Sequence, residues 1–312
     1  MWTVERIVHF EPGDFVKDGA SHFGFRQQGR LYAVDHGRHV VGLVGGDGEL
    51  EWTVAADEVE RGVPNIEAAL AFPMYIDLLP DGSPIVSNFG DARLWRVDLE
   101  RMRAEVLVDG RALGMVDMGN GVVDAEGFIW VNEVRGGRVW RFDPEGRPVQ
   151  TLHGFGWIYD IRPGPDGDLY VLDSGKFALR AVDGDENVRT IAGTGGTGYD
   201  GDGGDACEAT FGSDPGAPFD GPISLSLDEH GNVFIGDRFN HVVRMIECET
   251  NVITTIAGRP DVDDAQANDP SERDPLQLNL PQISSMDYCA GRLYVPTDLD
   301  PDGGDLAVLR RV

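Results

Sequence analysis

Six polar residues, His22, Asn120, Tyr159, Asp160, Asp220 and Gln282, are the candidates for a small-molecule site. An imidazole titrates near neutral pH, so His22 or His153 suits a general base. Asp160 joins them as the candidate catalytic carboxylate. His22, His36 and His153 could instead hold a divalent metal with one open position. Met74, Tyr75, Phe89 and Trp157 would supply apolar walls around Asn120, Tyr159 and Gln282 as substrate-binding groups. An apolar pocket with a few convergent polar groups is what a small molecule requires. Other chemistries lack their residues. There is no G-x-S-x-G elbow, phosphate-binding G-x-x-x-x-G-K-[ST], H-E-x-x-H or C-x-x-C. No nucleotide or organic cofactor is expected.

Charge narrows the partners. The 312 residues carry 26 Lys+Arg against 54 Asp+Glu, a formal net charge of -28. Such a surface repels phosphate backbones and anionic lipid, which excludes nucleic acid and membranes as partners. The positive charge is nearly all arginine; Lys17 and Lys176 are the lysines. Both a saline cell and a GC-rich genome fit this composition. Three cysteines cannot staple a chain this long and suit a reducing compartment. No apolar run near the N-terminus resembles a signal-peptide core, so a cytoplasmic location is expected.

These candidates must be positioned by strands. One pattern recurs six times: an apolar run, a turn with Asp or Glu and Gly, then an aliphatic and aromatic run ending in Asp or Asn. VVDAEGFIWVNE (122–133), IRPGPDGDLYVLD (161–173) and LSLDEHGNVFIGD (225–237) are the clearest copies. Each reads as a β-hairpin. A third run follows each hairpin and a fourth follows five of them. Six sets of four antiparallel strands predict an all-β, six-bladed β-propeller filling a single domain. The blades are expected at about 21–54, 73–108, 115–152, 157–192, 220–257 and 281–312. The last blade lacks a fourth run, and TVERIVHF (3–10) is left over. That strand is predicted to complete the last blade and remove its open edge. The interrupted stretch 57–72 reads as loop.

In such a blade the innermost strand starts on the face where the preceding outer strand's loop arrives. Long connections at 55–72, 193–219 and 257–281 therefore share one face with the site candidates, and loops this long usually serve a function. Asp35, Asn88, Asn132, Asp173, Asp237 and Asp298 end the second strands and read as turn formers that hydrogen-bond the following backbone. Glu133, Arg135 and Lys176 lie in the next turns, where a ligand could be touched. YDGDGGDACE (199–208) lacks the ligand spacing of an EF-hand and reads as an acidic, solvated loop.

Residues 189–246 contain TIAG, a Gly- and Asp-rich loop, and GPISLSLDEHGNVFIGDRFNHVVR. This stretch resembles the NHL repeat family. TTIAGRPD (254–261) begins a second copy and DHGRHVVGL (35–43) echoes the NHxxR segment, which makes His39 and His241 structural. The resemblance implies a six-bladed propeller; propellers of this kind include lactonases, phosphotriesterases, lyases and binding modules. The blade number and the PDG turns at 80–82 and 165–167 are similar to the SMP-30 and gluconolactonase type. That resemblance implies one divalent ion (Ca, Mg, Zn or Mn) with Asn120 and Asp220 as ligands. His22 stands where that family has Glu, and Tyr159 where it has Asn, which implies a softer ion held partly by His22.

The reading is thus a small-molecule enzyme, a hydrolase such as a lactonase or esterase, or a lyase. The alternative is a non-catalytic NHL module that recognises a protein or ligand through 193–219 and 257–281.

Overall fold

The computed structural model describes residues 1–10, 22–26, 30–35, 40–44, 50–52, 73–98, 101, 103–212, 221–260, 268–281, 283, 285–300 and 303–312. Two compact units divide the chain. One comprises Met1–Glu11, Phe155–Leu299 and Gly303–Val312; the other comprises Pro12–Gly154 and Asp300–Asp302.

The first strand, β1 (Trp2–Phe10), belongs to the former unit. The latter unit contains three four-stranded antiparallel blades. They are β2 (His22–Arg26), β3 (Arg30–Asp35), β4 (Val40–Val44) and β5 (Leu50–Trp52); β6 (Pro73–Leu78), β7 (Pro84–Asn88), β8 (Arg93–Asp98) and β9 (Arg103–Asp109); and β10 (Gly121–Val123), β11 (Ile129–Asn132), β12 (Val139–Phe142) and β13 (Pro148–Leu152). The former unit holds β14 (Ile158–Pro163), β15 (Leu169–Asp173), β16 (Ala178–Val182) and β17 (Val188–Ala192), then β18 (Ser224–Leu227), β19 (Val233–Asp237), β20 (Val242–Ile246) and β21 (Ile253–Gly258). Its third blade runs β22 (Asp287–Cys289), β23 (Arg292–Asp300), β24 (Gly303–Arg311), β1.

The N-terminal strand therefore completes the last blade, as its sequence predicts. β1 pairs antiparallel with β24, from Trp2 opposite Arg311 to Phe10 opposite Gly304. Arg292 donates to Glu5 across the sheet at 2.7 and 3.0 Å.

Burial explains the repeat. Second strands are covered on both faces and read as unbroken apolar runs: every residue of β15, LYVLD, and of β19, VFIGD, is buried. The outer strands β13 and β17 face solvent and bury only their last residue. Tight turns join the runs. In the turn 164–168, Gly167 adopts φ 87, which a side chain would strain, and its N–H donates to Gly164 at 3.1 Å. Adjacent blades are latched by carboxylates on the innermost strands. Asp77 accepts the N–H of Val123 at 2.9 Å, and Asp160 accepts that of Leu225 at 2.8 Å. Each latch gives a buried backbone donor an acceptor that its own blade cannot supply.

Residues 193–212, after β17, are folded rather than loose. Arg244 of β20 is fully buried beneath them. Its Nε and Nη2 donate to Asp202 at 3.0 and 2.7 Å, Nη1 to the Thr210 carbonyl at 2.8 Å and Nη2 to the Asp200 carbonyl at 3.1 Å. Its guanidinium also lies 5.4 Å from the Tyr199 ring and 5.3 Å from that of Phe211. This arginine is the last residue of the NHxxR segment. Asn240 donates to the Gly198 carbonyl and to Asp237, both at 2.8 Å, and His241 bonds the Pro281 carbonyl at 3.0 Å. The segment's polar residues thus pin the loops on either side of the blade, and His241 is structural. Residues 199–208 are the largely exposed acidic loop that the sequence suggests, apart from the buried Ala206, but the loop is ordered, because Asp202 and Asp205 accept from Arg244, Thr255, Cys207 and Asn251.

Candidate functional site

The segments that lead toward the innermost strands are held by the residues that end the second strands. Asn132 Oδ1 accepts the N–H of Asn120 at 2.8 Å, Asp173 Oδ1 that of Gly156 at 2.8 Å, and Asp237 Oδ1 that of Gly212 at 3.0 Å. These side chains do cap backbone, but the incoming segment rather than the following turn. The sequence pattern marks the strand end; the direction of the bond depends on which segment the blade packs there.

Asp237 shows what this costs. Burial pushes its carboxyl up to about 6 from 3.8, against the opposing effects of the Asn240 and Gly212 hydrogen bonds and of Arg244. The folded state keeps this proton at a pH where the unfolded chain has lost it. The stability it contributes is therefore complete below about pH 4 and lost as pH rises through about 6, a change of about 3 kcal/mol. In Asp237→Asn that pH-dependent component disappears. Between pH 4 and 7 the unfolding free energy from urea titration should fall by about 3 kcal/mol more in the wild-type protein than in Asp237→Asn; parallel curves would show that Asp237 is not the group responsible.

In the unit that contains β14, Trp157 and Tyr159 flank the buried Ile158 and stay half-buried. The turn Ser174–Lys176 fits tightly against them. The Gly175 N–H donates to the Trp157 carbonyl at 3.0 Å, and a Cβ on Gly175 would lie 2.5 Å from the Trp157 nitrogen, so only glycine fits. Burial pushes the Tyr159 phenol up to about 12, partly offset by the Arg238 charge beside it. Its hydroxyl is therefore a neutral donor at any physiological pH. Arg238, in the turn after β19, escapes the sequence reading; its only mark is a basic residue at a second-strand end in an acidic chain. Lys176 lies 3.7 Å from the buried Asp173.

Asp160, read from the sequence as a catalytic carboxylate, is committed elsewhere. It is buried, with one oxygen paired to Arg162 and the other accepting from Leu225. The alternation of β14 points it into the blade interface, whereas its neighbour Tyr159 reaches the open side. Asp220 and Gln282 lie outside the described residues.

In the unit that contains β10, Asn120 sits buried at the strand's start. Tyr75 is 1% exposed and Met74 is buried too, so β6 holds both within its blade instead of opening them as walls. Phe89 is half-buried and His153 exposed just past β13. His22 is placed by its backbone as the first residue of β2. Glu133 is fully buried rather than available to a ligand. Oε1 accepts from Trp140 Nε1 at 2.6 Å and Arg138 Nε at 2.7 Å, and Oε2 from the Val116 N–H and Arg138 Nη2, both at 3.0 Å. Arg135 is 49% exposed, its Nε donating to Asp117 at 2.7 Å. Among the described residues no three His, Cys, Asp or Glu are grouped to hold a metal ion. None of the described helices is long and apolar enough to cross a membrane.

No protein-family model matches the chain, and no curated protein matches its sequence. Solved structures do match. An auxiliary nutrient binding protein from Bacteroides thetaiotaomicron is 15% identical, with a TM-score of 0.68 over 99% of this chain and 77% of the other. Virginiamycin B lyase from Staphylococcus aureus is 11% identical, with a TM-score of 0.59 over 100% of both chains. A gluconolactonase from Xanthomonas campestris is 17% identical, with a TM-score of 0.60 over 90% of this chain and 82% of the other. At these identities the likeness is one of fold, and the fold is that of an all-β propeller built from four-stranded antiparallel blades.

Proposed function

We propose that this chain is a six-bladed propeller enzyme that acts on a small molecule, as a hydrolase of the lactonase or esterase kind or as a lyase. One observation carries the reading. Tyr159, with the Arg238 charge near it, and Trp157 two residues earlier remain partly open, while Ile158, Asp160, Ile161 and Arg162 are closed off. A flat aromatic wall, a neutral hydroxyl donor and a guanidinium together suit a substrate whose oxygen gains negative charge during the reaction. Ester and lactone hydrolysis and enolate-forming elimination are reactions of that kind. Tyr159 would donate its hydroxyl proton to that oxygen as a hydrogen bond, Arg238 would stabilise the charge, and Trp157 would cover the apolar side. Asp160 would hold the strand in place. The names of the lyase and the gluconolactonase agree with this chemistry. His22 and His153 remain proposals for the general base, each tested by its alanine variant. The alternative is a binding module working through 193–219 and 257–281; Asp202 and Asp205 are engaged by their own blade, while Asp200 and Glu208 are exposed.

A panel of lactones, aryl esters and phosphotriesters, assayed with and without chelator, tests the proposal. Turnover is expected, with kcat/KM reduced about 10²–10³-fold in Tyr159→Phe and at least about tenfold in Arg238→Ala, at unchanged melting temperature. Absence of turnover across the panel, or full activity in both variants, would overturn it. Loss of activity on chelation would bring the expected divalent ion into the reaction.

A further inference from the structure

Arg135 is held in an unusual way. It lies in the turn between β11 and β12 and is half exposed, yet its position is fixed from two sides. Asp117, 1% exposed, accepts the Arg135 backbone N–H with both oxygens at 3.3 Å and its Nε at 2.7 Å. The Phe89 ring lies 5.2 Å from the guanidinium carbon. These contacts use the inner edge and one face of the guanidinium. Among the described residues neither Nη atom has a protein partner.

The neighbouring arginines of this unit differ. Arg93 donates Nη2 to Asp109 at 3.3 Å, Arg111 donates Nη2 to the Gly90 carbonyl at 2.9 Å, and Arg138 donates Nη2 to Glu133 and to the Gly114 carbonyl at 3.0 and 2.7 Å. Each of these serves the fold. Arg135 instead presents its outer edge to solvent with most of its side-chain freedom already removed. A guanidinium fixed this way matches two oxygens of a carboxylate or phosphate without a further ordering cost. Keeping a carboxylate buried solely to restrain an exposed arginine is costly unless the restraint serves binding. The location agrees: Asp117 is three residues before Asn120, at the start of the innermost strand β10.

We infer that Arg135 is a preorganised anchor for a planar or tetrahedral oxyanion, a carboxylate or phosphate group carried by the small molecule, with Phe89 and Asp117 as its positioning residues. The inference builds on the reading of the chain as a small-molecule protein and adds that its ligand is anionic, despite the net charge of -28.

The test titrates the full chain with benzoate and, separately, with inorganic phosphate, at constant ionic strength set with sodium chloride. Binding is followed by the arginine Nε–Hε signals in nitrogen–proton NMR and by melting temperature. Saturable binding of at least one of the two is expected, with the Arg135 signal shifting most. Preference between the probes tells a carboxylate ligand from a phosphate one. Arg135→Gln should weaken the binding at least tenfold, and Arg135→Lys by a smaller factor, because an ammonium cannot bind two oxygens in parallel. The double variant Asp117→Asn/Arg135→Gln removes the charge pair together and guards against a destabilised single variant. Failure of both anions to bind, or binding of wild-type strength in Arg135→Gln and in the double variant, would overturn the inference. Ester turnover together with anion binding that is unchanged by Arg135→Gln would overturn it while leaving the proposed enzyme intact. Arg135-dependent binding without turnover would do the reverse.

Discussion

Replacing Arg244 by leucine is expected to destabilise the protein by about 3–5 kcal/mol, the cost of breaking a buried ion pair from one side. Leucine has adequate size and apolarity for a buried strand position, so packing alone does not decide the outcome. The loss is polar. Asp202 would lose its guanidinium partner, and the carbonyls of Asp200 and Thr210 would lose their donors. Tyr199 and Phe211 would lose the cation between them. All of these groups lie in 199–211, so the damage should be local before it is global. Denaturant midpoints should fall, and limited proteolysis should open new cleavage sites within 193–212 while the strands of the other unit stay protected. Arg244→Lys should recover only part of the loss, since one ammonium cannot reach Asp202 and both carbonyls. A leucine variant with wild-type midpoint and cleavage pattern would show that the loop stands without its arginine.

Glu133→Gln should be nearly as damaging, again about 3–5 kcal/mol, although the side chains have the same shape. The carboxylate of Glu133 faces four donors and no acceptor. An amide would turn two hydrogens toward at least two of those donors and leave Arg138 without its counter-charge. The effect should reach the segment before β10, because the Val116 N–H is held by Oε2. Denaturant unfolding measures the first effect, and faster amide exchange at Val116 measures the second. Equal stability in the glutamine variant would mean that Arg138 finds compensation in the Gly114 carbonyl it already touches at 2.7 Å.

The blades were readable because each second strand is covered on both faces and must be apolar throughout. The run IWVN in β11 and the run LYVLD in β15 announce themselves this way. The pairing of β1 with β24 followed from counting strands. The site was less readable, because alternation along a strand decides which side chain is open, and a bulge can change the phase. Between Ile158 and Asp160 the register against β15 shifts, and beyond it Asp160 is buried while Tyr159 is not. Sequence spacing cannot show that shift. Nor could it show that Glu133 is internal and Arg135 external. Both are charged residues in one glycine-rich turn, and only the packing of Asp117 and Trp140 separates their roles.

The closing of the last blade has a consequence for synthesis. His9 on β1 meets Asp305 on β24, 296 positions later. At about 5–20 residues per second, a ribosome needs about 15–60 s to deliver the partner after the first strand has emerged. During that time TVERIVHF is a bare strand whose hydrogen-bonding edge is open to any nascent neighbour. Its two charged residues, Glu5 and Arg6, would discourage self-pairing in that interval. A blade sealed by a strand made 296 residues before its partner thus leaves that strand waiting longest to find its place.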